Sequence, residues 1–395
     1  MQSIVIVGAG ECGVRAAFAL REAGFEGSVT LIGAETVLPY ERPPLSKDIQ
    51  APPKLIRSLS DYADAGIDLR LGLRVVALDA VAHQVQLDDG TVISFDQLLL
   101  ATGARARLFP GMEGCLTLRS DADMRRIAQH LIPGARIGII GGGFIGLELA
   151  ATARAAGAEV SVIEAAPRLL GRAIPAEIAS VVHGLHAQKG VRLLTSTDVV
   201  QANATQITLG DGTELDFDAV IAGVGAVPNT EIAQEAGLHV ENGIVVDAGL
   251  RTSARDIFAA GDCCNIDWRA TRMRFESWKI AQDQGAHAAA VLMGGDASYA
   301  KVPWFWSDQY DLTLQVAGVF DLTRPIHRRE TQSGTCIVVQ CDRDGRLSAA
   351  AGIGPGNATA KDLRVLEKLI EREMSVDPAV LVDPALNLKA LLKAR

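Results

Sequence analysis

Ser3-Ile4-Val5-Ile6-Val7-Gly8-Ala9-Gly10-Glu11-Cys12-Gly13 is the stretch on which the fold turns. Ser3 to Val7 reads as a short, fully buried strand. Glycines follow at G-x-G-x-x-G spacing, an Ala-rich helical stretch runs to about Ala23, and a second strand covers Val29 to Ile32. A turn of this kind lets the backbone approach a pyrophosphate, whose charge the exposed N–H groups and the helix dipole stabilise. The pattern returns at Arg136 to Ile140, followed by Gly141-Gly142-Gly143-Phe144-Ile145-Gly146, a helix to about Ala156 and a strand at Glu159 to Ile163. One such turn is weak evidence, since a glycine-rich turn without a ligand is common; two in strand–turn–helix context point to two dinucleotide sites.

A second echo lies downstream of each unit. Asp89-Gly90-Thr91-Val92-Ile93-Ser94-Phe95-Asp96 leads into Gln97 to Ala101 and the turn Thr102-Gly103; Asp211-Gly212-Thr213-Glu214-Leu215-Asp216-Phe217-Asp218 leads into Ala219 to Ala222 and Gly223-Val224-Gly225. Each is a D-G hairpin turn feeding an apolar strand that ends in glycine. After residue 300 the pattern changes to aromatic, β-rich segments (Trp304 to Trp306, Leu314 to Phe320, Cys336 to Gln340) and a helical region from about Lys361. The expected fold is therefore α/β, with two Rossmann-like dinucleotide-binding domains and a small C-terminal α+β domain.

A length of 395 residues with 48% hydrophobic composition suits two to four cored domains of roughly 100 to 200 residues each. Lys+Arg 38 against Asp+Glu 47 leaves a net charge of −9, so there is no global basic field for nucleic acid or an anionic bilayer. Apolar runs break well before the roughly 18 residues of a membrane span, and no secretory pattern precedes Ile4. Six cysteines without a C-x-x-C pair suit a reducing compartment, and the cytoplasm is the expected location. His183 and His186 share a helix face but lack a third ligand, which favours a surface pair over a metal site, and no metal is expected.

The two copies differ at the end of the second strand. Glu164 stands where a carboxylate accepts hydrogen bonds from an adenosine ribose and repels a 2′-phosphate, favouring NADH over NADPH; Arg168 and Arg172 leave the opposite preference open. In the first copy Gly33 occupies that place and Glu35 is the nearest substitute, equally readable as a solvated loop carboxylate. Two dinucleotide sites in one chain imply electron transfer between a nicotinamide and a resident flavin, carried by proximity and needing no acid/base dyad.

Pro39-Tyr40-Glu41-Arg42-Pro43-Pro44-Leu45-Ser46-Lys47-Asp48 closely resembles a signature of the FAD-dependent ferredoxin reductases that serve Rieske-type aromatic-ring oxygenases and camphor-type monooxygenases. Similar too are Ile257-Phe258-Ala259-Ala260-Gly261-Asp262, Phe275-Glu276-Ser277-Trp278 with Ala281-Gln282-Asp283-Gln284-Gly285, and Pro303-Trp304-Phe305-Trp306-Ser307-Asp308-Gln309. The resemblance looks nearest to the biphenyl-dioxygenase type. It implies a glutathione-reductase-like architecture in which an FAD domain (1–110 and 236–318) is interrupted by an NADH domain (111–235) and followed by a C-terminal domain (319–395).

Carried over by position, the resemblance gives FAD to Gly8, Gly10, Cys12, Gly13, Glu35, Arg42, Lys47, Ala101, Thr102, Gly103, Gly261, Asp262, Trp278 and Trp306. It gives NADH to Gly141, Gly143, Phe144, Ile145, Gly146, Glu148, Glu164, Arg172 and Gly225. Lys47 and Glu148 would form the catalytic pair beside the nicotinamide–flavin junction, the carboxylate keeping the lysine charged and oriented. Out of this context Lys47 is an ordinary surface cation, Glu148 a dipole complement, Asp262 a helix cap, and Trp278, Trp304 and Trp306 core residues. Disulfide reductases of this architecture use a redox cysteine pair, and related peroxidases or coenzyme A disulfide reductases use a single cysteine near the position of Arg42 to Leu45; no cysteine lies there. That argues for single-electron delivery to an outside acceptor, a plant-type or Rieske-type two-iron ferredoxin. Cys263-Cys264 reads as two packed thiols. Arg269, Arg272, Arg274 and Arg57 are candidates for a basic docking patch, a solvated charged loop being the plain alternative. The rival functions are an NADH oxidase or other flavin reductase, and an NADH-sensing flavoprotein of the apoptosis-inducing-factor kind.

Overall fold

The apolar run at the start of the chain becomes strand β1 (Ser3–Val7), in which Ile4, Val5, Ile6 and Val7 are all buried. Helix α1 (Glu11–Glu22) and strand β2 (Ser28–Gly33) follow, and the second unit repeats them as β3 (Arg136–Ile140), α2 (Phe144–Ala155) and β4 (Glu159–Ile163). The computed structural model describes residues 2–269, 271–329, 331 and 334–393. These divide into two compact units, each made of three chain segments.

The first unit holds Met1–Arg42, Pro52–Arg105 and Ala226–Lys301. Its main sheet is parallel, in the order Ile257–Ala259, Gln97–Leu100, β1, β2, Ile67–Leu71. β1 is central and covered on both faces, which is why its apolar residues run unbroken rather than alternate. Helix α3 (Trp278–Leu292) packs on α1. Gly285 permits this approach, since a Cβ there would stand 2.4 Å from the Cys12 carbonyl oxygen. The strands Val75–Asp79, Gln84–Leu87 and Val92–Ser94 form an antiparallel sheet whose last turn carries Asp89-Gly90.

The second unit holds Pro43–Ala51, Ala106–Gly225 and Val302–Arg395. Its parallel sheet runs Arg192–Leu194, β4, β3, Ala219–Ala222, and an antiparallel sheet of Val199–Ala202, Gln206–Leu209 and Glu214–Asp216 turns at Asp211-Gly212. Strand–turn–helix–strand and hairpin have thus both been built twice. A five-stranded antiparallel sheet completes the unit. It begins with β5 (Trp304–Gln309) and β6 (Leu312–Gly318), continues through Leu347–Pro355 and Cys336–Cys341, and ends at His327–Arg329. Strands β5 and β6 therefore belong to the terminal sheet. Helix α4 (Ala360–Glu371) covers it through buried Leu363, Leu366, Leu369 and Ile370. Among the described residues no helix is long and apolar enough to cross a membrane.

Candidate functional site

The glycines of each turn divide the same labour. Gly8 has φ +112°, and a Cβ on it would stand 2.1 Å from the Ala101 carbonyl oxygen; on Gly13 it would stand 1.9 Å from the Gly8 oxygen. In the second turn Gly141 has φ +105° and would place a Cβ 2.4 Å from the Gly223 oxygen, and Gly146 one 2.3 Å from the Gly141 oxygen. The outer glycines are thus demanded by the protein's own packing. The middle ones are not: a Cβ on Gly10 or Gly143 would meet no protein atom within 4 Å. Both are helix N-caps without a side-chain cap, so the first-turn N–H groups of α1 and α2 have no side-chain acceptor at their caps. A bare middle glycine in front of helix N–H groups fits a pyrophosphate at both turns.

Around the first turn, Thr102 and Asn229 lock together, Thr102 Oγ1 donating to the Asn229 carbonyl at 2.6 Å and Asn229 Nδ2 to the Thr102 carbonyl at 2.8 Å. Gly261 N donates to Gln284 Oε1 at 2.7 Å, and Gly261 abuts Cys12. Asp262 lies in the 3-10 turn Gly261–Cys263, with Arg274 donating to its carbonyl. Glu35 and Arg42 are joined at 2.7 Å, and Tyr40 Oη donates to the same carboxylate at 2.6 Å. Trp278 Nε1 donates to Glu11 Oε2 at 2.9 Å and Gln282 Nε2 to Glu11 Oε1 at 2.8 Å. Burial pushes the Glu11 carboxyl up from its ordinary value against these two donors. Glu11 is a site neighbour that the sequence pattern passed over, because the glycine spacing leaves its position free.

Around the second turn, Glu164 is held by the turn itself, accepting from Gly142 N at 2.7 Å and Ala166 N at 2.8 Å. Arg168 donates to the Gly171 carbonyl, whereas Arg172 is exposed. Phe144 packs edge-on against Phe305 with ring centroids 5.1 Å apart, and Ile145 is left exposed at the start of α2. The Gly225 carbonyl accepts from Arg107 N at 2.9 Å.

Glu148, in the second turn of α2, is only 7% exposed. It accepts from Ser46 Oγ at 2.5 Å, Ser307 Oγ at 2.6 Å and Asp308 N at 3.3 Å. Lys47 Nζ lies 3.8 Å from Glu148 but 2.5 Å from Asp308 Oδ2. Asp308 is itself oriented by Trp306 Nε1 at 3.2 Å and Thr313 Oγ1 at 3.0 Å, and the Lys47 ammonium stands 4.9 Å from the Trp306 ring centroid. Desolvation raises the Glu148 pKa, while Lys47, Ser307 and Ser46 pull it back. The expected Lys47–Glu148 pair is thus a triad in which the second acid, Asp308, sits nearer. Its signal was in the quoted Trp304–Gln309 motif, but its partner is far along the chain.

Residues 2–285 match the family model described as pyridine nucleotide-disulphide oxidoreductase, and residues 304–392 match the reductase C-terminal family. The chain belongs to the pyridine nucleotide-disulphide oxidoreductases. It is 41% identical over 404 residues to the ferredoxin–NAD(+) reductase component of the anthranilate 1,2-dioxygenase system of Burkholderia cepacia, covering 98% of each chain. It is 36% identical over 400 residues to the corresponding component of the p-cumate 2,3-dioxygenase system of Pseudomonas putida, again covering 98% of each. Putidaredoxin reductase in its covalent complex with putidaredoxin superposes with a TM-score of 0.94 at 34% identity, covering 100% of this chain and 99% of that one.

The chain has six cysteines. All six are free and buried. Cys263 Sγ lies 3.4 Å from the Leu100 carbonyl and Cys264 Sγ 3.3 Å from Gln284 Oε1, two packed thiols whose pKa values burial raises. The histidine pair does not share a surface: His183 is exposed, but His186 is fully buried, 2.8 Å from Gln309 Oε1 and packed on Tyr310. The reason is that α-helix Ala176–Gln188 turns His186 toward the core, which the i, i+3 spacing alone does not reveal. Of the four arginines, Arg274 is bonded to Glu276 and Arg272 to the Val246 and Asn265 carbonyls, while Arg269 lies over Trp268 and Arg57 over Phe18.

Proposed function

We propose that this chain passes electrons from NADH through FAD to a two-iron ferredoxin that feeds an oxygenase. The observation that carries the reading is the pair of glycine turns with open middle glycines, in a chain without a cysteine in the Pro39–Asp48 motif. When bound, FAD accepts a hydride from NADH and returns the two electrons singly to the acceptor. The protein's part is to bind, orient and hold charge. The first turn, with Cys12, Ala101, Thr102, Gly103, Gly261, Asp262, Trp278 and the Glu35–Arg42 pair, is proposed to hold FAD. The second turn, with Phe144, Ile145, Glu164, Arg172 and Gly225, is proposed to hold NADH.

Lys47 supplies a fixed cation whose position Asp308 and Glu148 determine together, and Trp306 supplies an aromatic face beside it. A cation fixed in this way would favour negative charge on a bound ring. Glu164, already aimed by two backbone N–H groups, is proposed to take the adenosine ribose of NADH. Exposed Arg57, Arg269 and Arg272 remain candidates for steering an anionic partner. Cytoplasmic residence is proposed with the function, because NADH is supplied there.

The test is NADH-dependent cytochrome c reduction by the purified yellow protein, with and without an added two-iron ferredoxin. Strong stimulation is expected. No stimulation, with the flavin still reduced by NADH, would overturn the reading: rapid reoxidation by oxygen would indicate an oxidase, and slow reoxidation an NADH-sensing flavoprotein.

A further inference from the structure

His186, Ser307 and Gln309 are fully buried and Glu148 nearly so, and the four form one hydrogen-bonded row within the second unit. His186 Nε2 lies 2.8 Å from Gln309 Oε1, Gln309 Nε2 donates to Ser307 Oγ at 2.9 Å, and Ser307 Oγ donates to Glu148 Oε1 at 2.6 Å. Strand β5 supplies Ser307 and Gln309 two positions apart, hence on one face, and helix Ala176–Gln188 brings His186 to the far end.

Such a row can run in two directions, and the ring at its end selects one. An imidazole that donates from Nε2 takes the Gln309 carbonyl oxygen. The Gln309 amide nitrogen then faces Ser307, and the hydroxyl, already accepting, has its own proton free for Glu148 Oε1. A neutral ring protonated on Nδ1 would instead present a bare Nε2 and turn the Gln309 amide round. Ser307 would then give its proton to Gln309, and its oxygen could pair only with a protonated Glu148. The surroundings decide between the two. His186 Nδ1 is buried with no hydrogen-bond partner among the described residues, and the ring packs on Tyr310 with centroids 5.0 Å apart. An N–H there would be a buried donor left unpaired, a rarer and costlier state than a bare ring nitrogen. Burial also disfavours a second proton on the ring.

We propose that His186 is a positioning residue for Glu148: its Nε2 proton fixes the Gln309 amide, which turns the Ser307 hydroxyl onto Glu148 Oε1 and so favours the carboxylate form beside Lys47. The inference rests on the reading of Lys47 and Glu148 as the pair beside the reacting ring. Asp308 N also points at Oε1, whereas Oε2 faces only Ser46 Oγ, so a proton taken up by Glu148 goes to Oε2, away from the row. The charged and titratable groups around the two ends are Lys47 and Asp308 at Glu148, and His183 and Tyr310 at His186, with Lys189 5.5 Å from the Tyr310 ring.

The holoenzyme is compared with His186→Leu, which removes the donor, and His186→Gln, whose amide N–H takes the place of Nε2–H. His186→Leu is expected to lower the rate of flavin reduction at saturating NADH about fivefold, the worth of one net hydrogen bond. The acid limb of its pH profile should move up by about half a unit, because a carboxylate that loses a donor gives up its charge at higher pH. Flavin content and the Kd for NADH should not change, and His186→Gln should restore most of the rate. Added to Glu148→Gln, His186→Leu should cost nothing further. Nitrogen NMR of the histidine-labelled wild type, with His186 assigned by its absence from the glutamine variant, should show a neutral ring protonated on Nε2; this decides the matter even where the leucine variant fails to fold. A ring protonated on Nδ1 would overturn the relay, as would equal losses in the leucine and glutamine variants, or a leucine variant with the wild-type rate and pH profile. A Glu148→Gln enzyme that reduces its flavin as fast as the wild type would instead overturn the role of Glu148 on which the relay rests.

Discussion

Burial opposes a charge on Glu148. Desolvation is the largest influence on its carboxyl and raises the pKa, ahead of the opposing pull of Lys47, Ser307 and Ser46. An acid whose pKa is higher folded than unfolded favours the fold fully below the unfolded value and loses that contribution as pH rises through the folded value. Wherever Glu148 is ionised, its charge is therefore held at a cost to stability. Glu148→Gln is expected to be at least as heat-stable as the wild type at neutral pH, and the difference should close as pH falls into the carboxylate range. Melting temperature against pH checks this; a Gln variant less stable at neutral pH would mean that the Lys47 attraction outweighs burial. The same variant should reduce its flavin with NADH about tenfold more slowly, the size expected for one electrostatic group at a reacting centre. Lys47 and Glu148 were legible from the sequence because each lies in or beside a motif. The role of Asp308 was not, since its bond to Lys47 spans 261 positions and no local spacing records it.

At the scale of the element, the two glycine turns separate packing from ligand approach. Gly143 sits at φ −83° and ψ 179°, a conformation open to alanine, and its Cβ would touch no protein atom. Gly143→Ala should fold with an unchanged melting temperature yet raise the KM for NADH by about tenfold or more, because the methyl group enters the space proposed for the pyrophosphate. Gly146→Ala should instead destabilise the protein by about 3 kcal/mol or more, since its Cβ collides with the Gly141 carbonyl. Thermal melts with NADH titrations separate the two; equal NADH binding by Gly143→Ala would remove the second turn from the coenzyme site. These turns could be read from sequence because strand, turn and helix are contiguous and each leaves its own local signal. The strand Ile257–Ala259 is different: it completes the first sheet beside Gln97–Leu100, and parallel pairing across such a separation depends on burial that a local window does not contain.

The family's name suggests disulphide chemistry, but the molecule buries each of its six cysteines as a free thiol. Cys12, Cys263 and Cys264 lie in the first unit, and Cys115, Cys336 and Cys341 in the second; all are buried. Burial raises the pKa of Cys12 and Cys264 strongly and moves Cys115 up to about 11. The thiolate is the reactive species, so at neutral pH none of these three offers a nucleophile, and exclusion of water keeps reagents from all six. Dithiol chemistry, by contrast, requires an accessible sulfur that can attack and be re-reduced. Prolonged exposure of the native holoenzyme to iodoacetamide at neutral pH should therefore leave NADH–ferricyanide and NADH–ferredoxin turnover intact, with no thiol modified by mass spectrometry, while all six react after denaturation. Pre-reduction with NADH should make no difference, because no disulfide is opened by the reduced flavin. A single fast-reacting cysteine that appears only after NADH is added, with parallel loss of turnover, would place a sulfur in the electron path and restore the thiol mechanism to this chain.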